Sequence, residues 1–95
     1  MPKGYVIAHA TVTDPDKWGQ YVAKSKVALD KYGGKPIVRG GQCEIVEGNG
    51  TQRNVVIEFA SYANAIAYAR SPEYAEAKAL RQGAGSLDIT VVEGV

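Results

Sequence analysis

A strand that runs straight into two successive capped helices constrains this chain more than any other stretch. Asn54 to Ala60 reads Asn-Val-Val-Ile-Glu-Phe-Ala, a β-branched run of strand length. Ser61 follows as a helix cap, and Ser71-Pro72 repeats the signal ten residues later. Serine accepts from free helical amides, and proline suits the first turn of a helix. The spacing therefore predicts a strand and then a split helix, reaching about Ala69 in its first half and about Gln82 in its second.

The rest of the chain supplies the other elements. Tyr5 to Val12 is a β-branched run of strand length. Asp14-Pro15 opens a helix, and Trp18, Tyr21, Val22, Ser25, Leu29 and Tyr32 recur at spacings of three and four, an amphipathic stripe that reads as core. Gly33-Gly34 ends it, because glycine accepts the left-handed conformation of a helix C-terminus. Ile37 to Val46 reads as a second strand, with a bulge or close approach at Gly40-Gly41. Gly48-Asn49-Gly50 marks the turn of a hairpin whose return strand is Asn54 to Ala60. Gly83 and Gly85 break the chain before a last strand, Leu87 to Glu93.

The order β-α-β-β-α-β is that of a ferredoxin-like α+β fold, a four-stranded antiparallel sheet with its helices on one face. One domain, residues 1–95, is expected from the length. The two-residue period puts Val6, Ala8, Ala10, Val55, Ile57, Phe59, Leu87, Ile89 and Val91 on one face. Tyr5, Ile7, His9, Val56, Glu58, Asp88, Thr90 and Val92 lie on the other, which is still half apolar. Soluble monomers seldom leave such a face wet. The expectation is a homodimer, sheet against sheet, burying on the order of 800 Å² or more per partner.

Composition excludes several classes. The chain is 45% hydrophobic and 22% charged, with a net charge of +1 and no cluster of Lys or Arg, which argues against nucleic acid as a partner. No apolar run approaches the length of a membrane span. Met1-Pro2-Lys3-Gly4 leads straight into a strand, so no targeting peptide is expected. A single cysteine, Cys43, allows no internal disulfide and fits a reducing, cytoplasmic setting.

Taken together, Arg39-Gly40-Gly41, Glu47-Gly48, Val56-Ile57-Glu58-Phe59, Ser61, Ser71-Pro72-Glu73-Tyr74, Arg81 and Val92-Glu93-Gly94 resemble the domain-of-unknown-function 1330 family of the dimeric α/β barrel superfamily. The resemblance spans essentially the whole chain. It implies a ferredoxin-like protomer that pairs through its sheet into a small barrel, and it carries no established activity. Relatives in the superfamily include heme- and quinone-handling monooxygenases, isomerases and ligand-binding stress proteins. The chain departs from the family pattern at Ala60, where proline is usual, and at Tyr68, where tryptophan is usual. The hairpin tip, Asn49-Gly50-Thr51-Gln52, lacks the aromatic and proline often found there.

Four ionisable residues interrupt strands that are otherwise apolar or small: His9, Arg39, Glu58 and Asp88. Parity and an antiparallel order 4-1-3-2 place Glu58 and His9 on neighbouring strands of the open face, with Arg39 one strand beyond. They are the candidates for catalysis, Glu58 as anchor or base, Arg39 as holder of an anionic or enolate oxygen, His9 as hydrogen-bond donor or proton shuttle. An arginine near Glu58 favours an ionised anchor over a tuned acid. Equally, the three form an ion-pair network inside a dimer interface.

Arg39, Gly40 and Gly41 offer an anion cradle or simply a bulge, and Ser71 with Tyr74 offers a phenol at the barrel mouth or simply a cap and a core tyrosine. Asp88 joins this ligand-binding set. One imidazole among scattered carboxylates is no metal motif, and no tightly held cofactor is expected. Cys43 reads as a small packed residue. Arg81, near a helix C-terminus, suits the helix dipole or an interface ion pair. Two functions follow: binding or transformation of a small polar or anionic molecule on the sheet face, or non-catalytic assembly or ligand sensing in which the charges only specify the dimer.

Overall fold

The structure is a computed structural model in which residues 2–95 are described. The start of the tetrapeptide read as leader-free, Met1, lies outside them. Its elements are β1 (Gly4–Val12), α1 (Pro15–Tyr32), β2 (Lys35–Arg39), β3 (Arg53–Phe59), α2 (Tyr62–Ala69), α3 (Pro72–Leu80) and β4 (Gly85–Glu93). The four strands form one antiparallel sheet in the order β2-β3-β1-β4, the ferredoxin-like arrangement.

The helices begin where side chains satisfy free amides. Asp14 accepts from the Lys17 amide, Ser61 from that of Asn64 and Ser71 from that of Tyr74. α1 ends at Gly33, whose φ of 74° is the left-handed cap, and the Gly34 amide bonds back to the Leu29 carbonyl at 2.9 Å. α3 stops at Leu80, two residues short of the expected end.

The second strand differs most from expectation. It spans Lys35–Arg39 rather than 37–46, because Gly40 takes φ 65° and turns the chain out of the sheet. The register shift lies between Pro36 and Val38, ahead of the two glycines. Pro36 has no amide to give the ladder, which suits a bulge on this edge strand. Residues 40–52 are therefore an irregular loop, and the bend around Gly48 lies within it rather than at a tight hairpin turn.

The core lies between sheet and helices as the two-residue period requires. Val6, Ala8 and Ala10 of β1 and Ile57 and Phe59 of β3 are buried, with Leu87, Ile89 and Val91 of β4 packed beside them. Trp18, Tyr21, Ser25, Ala28 and Leu29 form the buried face of α1. Five rings run in series: Phe59 to Tyr68 at 5.2 Å between centroids, Tyr68 to Tyr74 at 5.3 Å, Tyr74 to Tyr21 at 6.1 Å and Tyr21 to Trp18 at 5.3 Å. Such offset and edge contacts add to the area that each ring buries. α2 sits directly on the sheet, whereas α1 packs chiefly on α3 and stands off the strands. Space is left beneath it.

Candidate functional site

The sequence candidates fall on two opposite faces of the sheet. On the open face Glu58 stands across from Tyr5 of β1 and Lys35 of β2. Its carboxylate accepts from Lys3 Nζ at 3.0 Å and from the Tyr5 hydroxyl at 3.2 Å. The Lys3 ammonium beside it, with the Tyr5 hydroxyl, holds the Glu58 carboxyl below the usual carboxylate range. Glu58 is thus ionised and paired, but its partner is Lys3 rather than Arg39.

His9 lies on the same face, with Asn54 opposite on β3 and Asp88 opposite on β4. Asn54 Nδ2 donates to the Thr51 carbonyl at 3.0 Å and to Cys43 Sγ at 3.3 Å. That orientation makes Oδ1 the acceptor, so His9 Nδ1, 2.7 Å away, carries the proton and donates. Cys43 is a packed loop residue in this network. Asp88 is exposed. Among the described residues no three of His, Cys, Asp and Glu lie close enough to hold a metal ion.

Arg39 is on the other side. The shift between Pro36 and Val38 sets it opposite Val55, on the helix-side face. The expected Glu58–His9–Arg39 constellation is therefore not assembled within a protomer. Nor is the Gly40 amide free to cradle an anion with Arg39, since it is already bonded to the Asn54 carbonyl at 2.8 Å. Ser71 and Tyr74 behave as cap and core. Ser71 Oγ donates to the Tyr68 carbonyl at 2.7 Å while accepting from the Tyr74 amide at 3.0 Å, and the two residues are 4% and 5% exposed.

What Arg39 joins is a cavity of about 80 Å³ beneath α1. Its floor is the apolar face of the sheet, with Val6, Ala8, Ala10, Val55, Ile57, Leu87 and Ile89. Trp18, Tyr21, Val22, Ser25 and Leu29 of α1 form the roof, and Tyr68 contributes from α2. Lys26, Pro36, Arg39 and Arg53 complete the lining; Lys26 and Arg39 are exposed, which places the mouth on their side. A shallower depression of about 600 Å³ shares Ala10, Trp18, Val22 and Arg53 with it and adds Thr11, Val12, Pro15, Gly19 and Gln52.

Two of the hydroxyls inside are hydrogen-bonded. The Tyr21 hydroxyl lies 3.0 Å from that of Tyr74, and Ser25 Oγ donates to the Val22 carbonyl at 3.0 Å. Burial pushes the Tyr21 and Tyr68 phenols well above their ordinary range, so both remain protonated. No Asp, Glu, His or Cys lines either space among the described residues. Lys26 pairs with Asp30 at 3.0 Å, whereas Arg39 and Arg53 enter none of the ion pairs formed among the described residues. The site is an apolar, aromatic chamber with two uncompensated guanidiniums beside it.

Arg53 and Lys26 were not among the sequence candidates. Arg53 shares the parity of Val55, Ile57 and Phe59, so a cation at the end of the buried stripe was there to be read. Lys26 carried no such signal, being one of several lysines on α1.

A family model described as "Domain of unknown function (DUF1330)" matches residues 3–95. The sequence matches no curated protein. Among solved structures, the fold is similar to that of a protein of unknown function from Rhodopseudomonas palustris, with TM-score 0.77 and 17% identity over 99% of this chain and 83% of the other. It is also similar to SnoaB, a cofactor-independent oxygenase from Streptomyces nogalater, with TM-score 0.63 and 10% identity over 97% and 92% of the two chains. A dimeric protein of unknown function and ferredoxin-like fold from Bacteroides fragilis gives TM-score 0.55 and 14% identity over 96% and 95%. Identities this low speak for the fold alone.

Proposed function

The chain belongs to the DUF1330 family, and we propose that it is a homodimeric small-molecule-binding protein whose ligand enters the chamber beneath α1. The observation that carries this reading is the chamber itself. Small-molecule sites are concave and mostly apolar, with a few placed polar groups, and this one has apolar walls interrupted by the hydroxyls of Tyr21, Ser25 and Tyr68. The ligand site moves from the open sheet face to the helix side. Recognition, rather than general-base chemistry, suits a lining without carboxylate, imidazole or thiol.

Pairing through the open face belongs to the same proposal, as does one domain over residues 1–95. The protomer is only 17 Å thick along its short axis and exposes 6136 Å², against the ~5,300 Å² that the surface-to-mass scaling gives a compact monomer of 10.1 kDa. The excess, about 800 Å², is what one partner buries in a standard interface. Val38 and Val92 are 44% and 41% exposed, and Ile7 and Val56 are half-buried beside them. A second copy would cover this face and enclose Glu58 and His9, whose role is then to specify the pairing. The dimeric Bacteroides fragilis protein supports this assembly. A reducing cytoplasm suits a chain with one cysteine, and among the described residues no helix is long and apolar enough to cross a membrane.

The test is ligand-observed NMR with a library of small ring compounds, on the wild-type chain and on Val22→Phe, which fills the chamber from its roof. Hits that vanish in the variant support the site, and hits that persist unchanged refute it. Sedimentation tests the assembly: a wild-type monomer at micromolar concentration refutes pairing, and Val56→Lys is expected to yield one.

A further inference from the structure

The same chamber indicates the chemistry of its occupant, an inference that rests on the binding reading above. Arg39 stands directly opposite Val55, and Arg53 lies two residues before Val55 on the same face. The two arginines are thus diagonal neighbours across an antiparallel pair, within reach of one another's long side chains. A Cβ added to Gly40 would come within 3.4 Å of Arg53 Nη1. The Arg53 guanidinium therefore lies against the backbone immediately after Arg39. Like charges at such positions repel, and no carboxylate of the described residues pairs with either. An anion between them removes the repulsion. Lys26 adds a third positive charge on the same side, already shared with Asp30.

We infer that the ligand is a small aromatic monocarboxylate, its carboxylate held between Arg39 and Arg53 and its ring seated under Trp18 and Tyr21. Guanidinium forks match the planar carboxylate, and charged hydrogen bonds are the stronger kind. The body must be mostly apolar, because aliphatic and aromatic side chains form most of the wall. It must also be small. A dry cavity of about 150 Å³ takes a benzene ring; this chamber's own volume of about 80 Å³ holds only part of one, so the rest of the ligand would occupy the wider depression that shares Trp18, Val22 and Arg53 with it. A phosphate dianion fits less well: the Gly40 amide beside Arg39 is already bonded and is not free to donate to it.

Trp18 lines the chamber and is the chain's single tryptophan, so its emission reports occupancy directly. The experiment titrates the full chain with benzoate, benzamide and phenyl phosphate at low and high salt. Benzoate is expected to bind about 10-fold or more tighter than benzamide, a gap that narrows as salt rises. In Arg39→Gln and in Arg53→Gln the gap should close, and an unchanged far-ultraviolet circular dichroism spectrum reports that the variant has kept its fold. Equal binding of benzoate and benzamide overturns the carboxylate assignment and leaves the chamber a ligand site. Preference for phenyl phosphate overturns it likewise, as does a benzoate preference that survives both substitutions. Binding of none of the three overturns the assignment and the chamber together.

Discussion

Removing the Tyr74 hydroxyl, by Tyr74→Phe, should destabilise the protein although the ring is kept. The hydroxyls of Tyr21 and Tyr74 are 3.0 Å apart in the interior, and their residues are 9% and 5% exposed. The substitution preserves the ring contacts with Tyr68 at 5.3 Å and Tyr21 at 6.1 Å, so packing changes little. What is lost is the partner of a buried hydroxyl, at a cost of about 1–3 kcal/mol. For a domain of this size each 1 kcal/mol is about 4–8 °C of melting temperature. Tyr21→Phe should cost a similar amount, because it orphans the other member. Replacing both removes donor and acceptor together, and the double variant should lie closer to wild type than the sum of the singles, by about 1 kcal/mol or more. Urea denaturation at one fixed protein concentration measures this, the concentration being held because subunit pairing would otherwise contribute. Additive losses in the double variant would refute the claim that the two hydroxyls satisfy one another. The outcome bears on the site because this bond fixes Tyr21, whose ring forms part of the chamber roof.

Other expectations follow from charge and backbone geometry. The Glu58 carboxyl is held below its ordinary value of 4.5, chiefly by the Lys3 ammonium, so its contribution to stability is present above that pH and is lost as pH falls through its depressed value. Glu58→Gln should flatten the acid limb of a melting-temperature profile, and an unchanged limb would show that the Lys3 pair does nothing for the fold. The buried Tyr21 phenol is displaced upward from 10.0, so stability should fall as pH rises above that value, and Tyr21→Phe should blunt the alkaline loss seen in the same profile. Gly33→Ala should cost about 1 kcal/mol through backbone conformation alone, since a Cβ there meets nothing within 4 Å while φ is 74°. Gly33→Asn should recover part of that loss in thermal denaturation, because asparagine tolerates the left-handed region.

Element order, helix caps and the buried stripe could all be read without coordinates because each depends on neighbours in the chain. Asp14, Ser61 and Ser71 cap amides three residues on, and the two-residue period assigned Val6, Ile57 and Phe59 to the core because pleating alternates side chains whatever the strand pairs with. The placement of Tyr21 in the core was legible in the same way, whereas an ionised Glu58 was expected from Arg39, which lies on the other face, and is held instead by Lys3. The partners were not. Glu58 meets Lys3 across 55 residues of sequence, a pairing that depends on how β1 registers with β3. Arg39 changed faces because one irregularity between Pro36 and Val38 reverses the parity of everything after it on that strand. Arg53, legible by parity but unremarkable alone, gained significance when that reversal brought a second guanidinium beside it. The chamber itself exists because α1 leans on α3 rather than on the sheet, a choice made by packing between elements far apart in the chain. Local chemistry along the chain thus determined which segments fold into what, and only the assembled layers decided which charges meet and where a ligand has room.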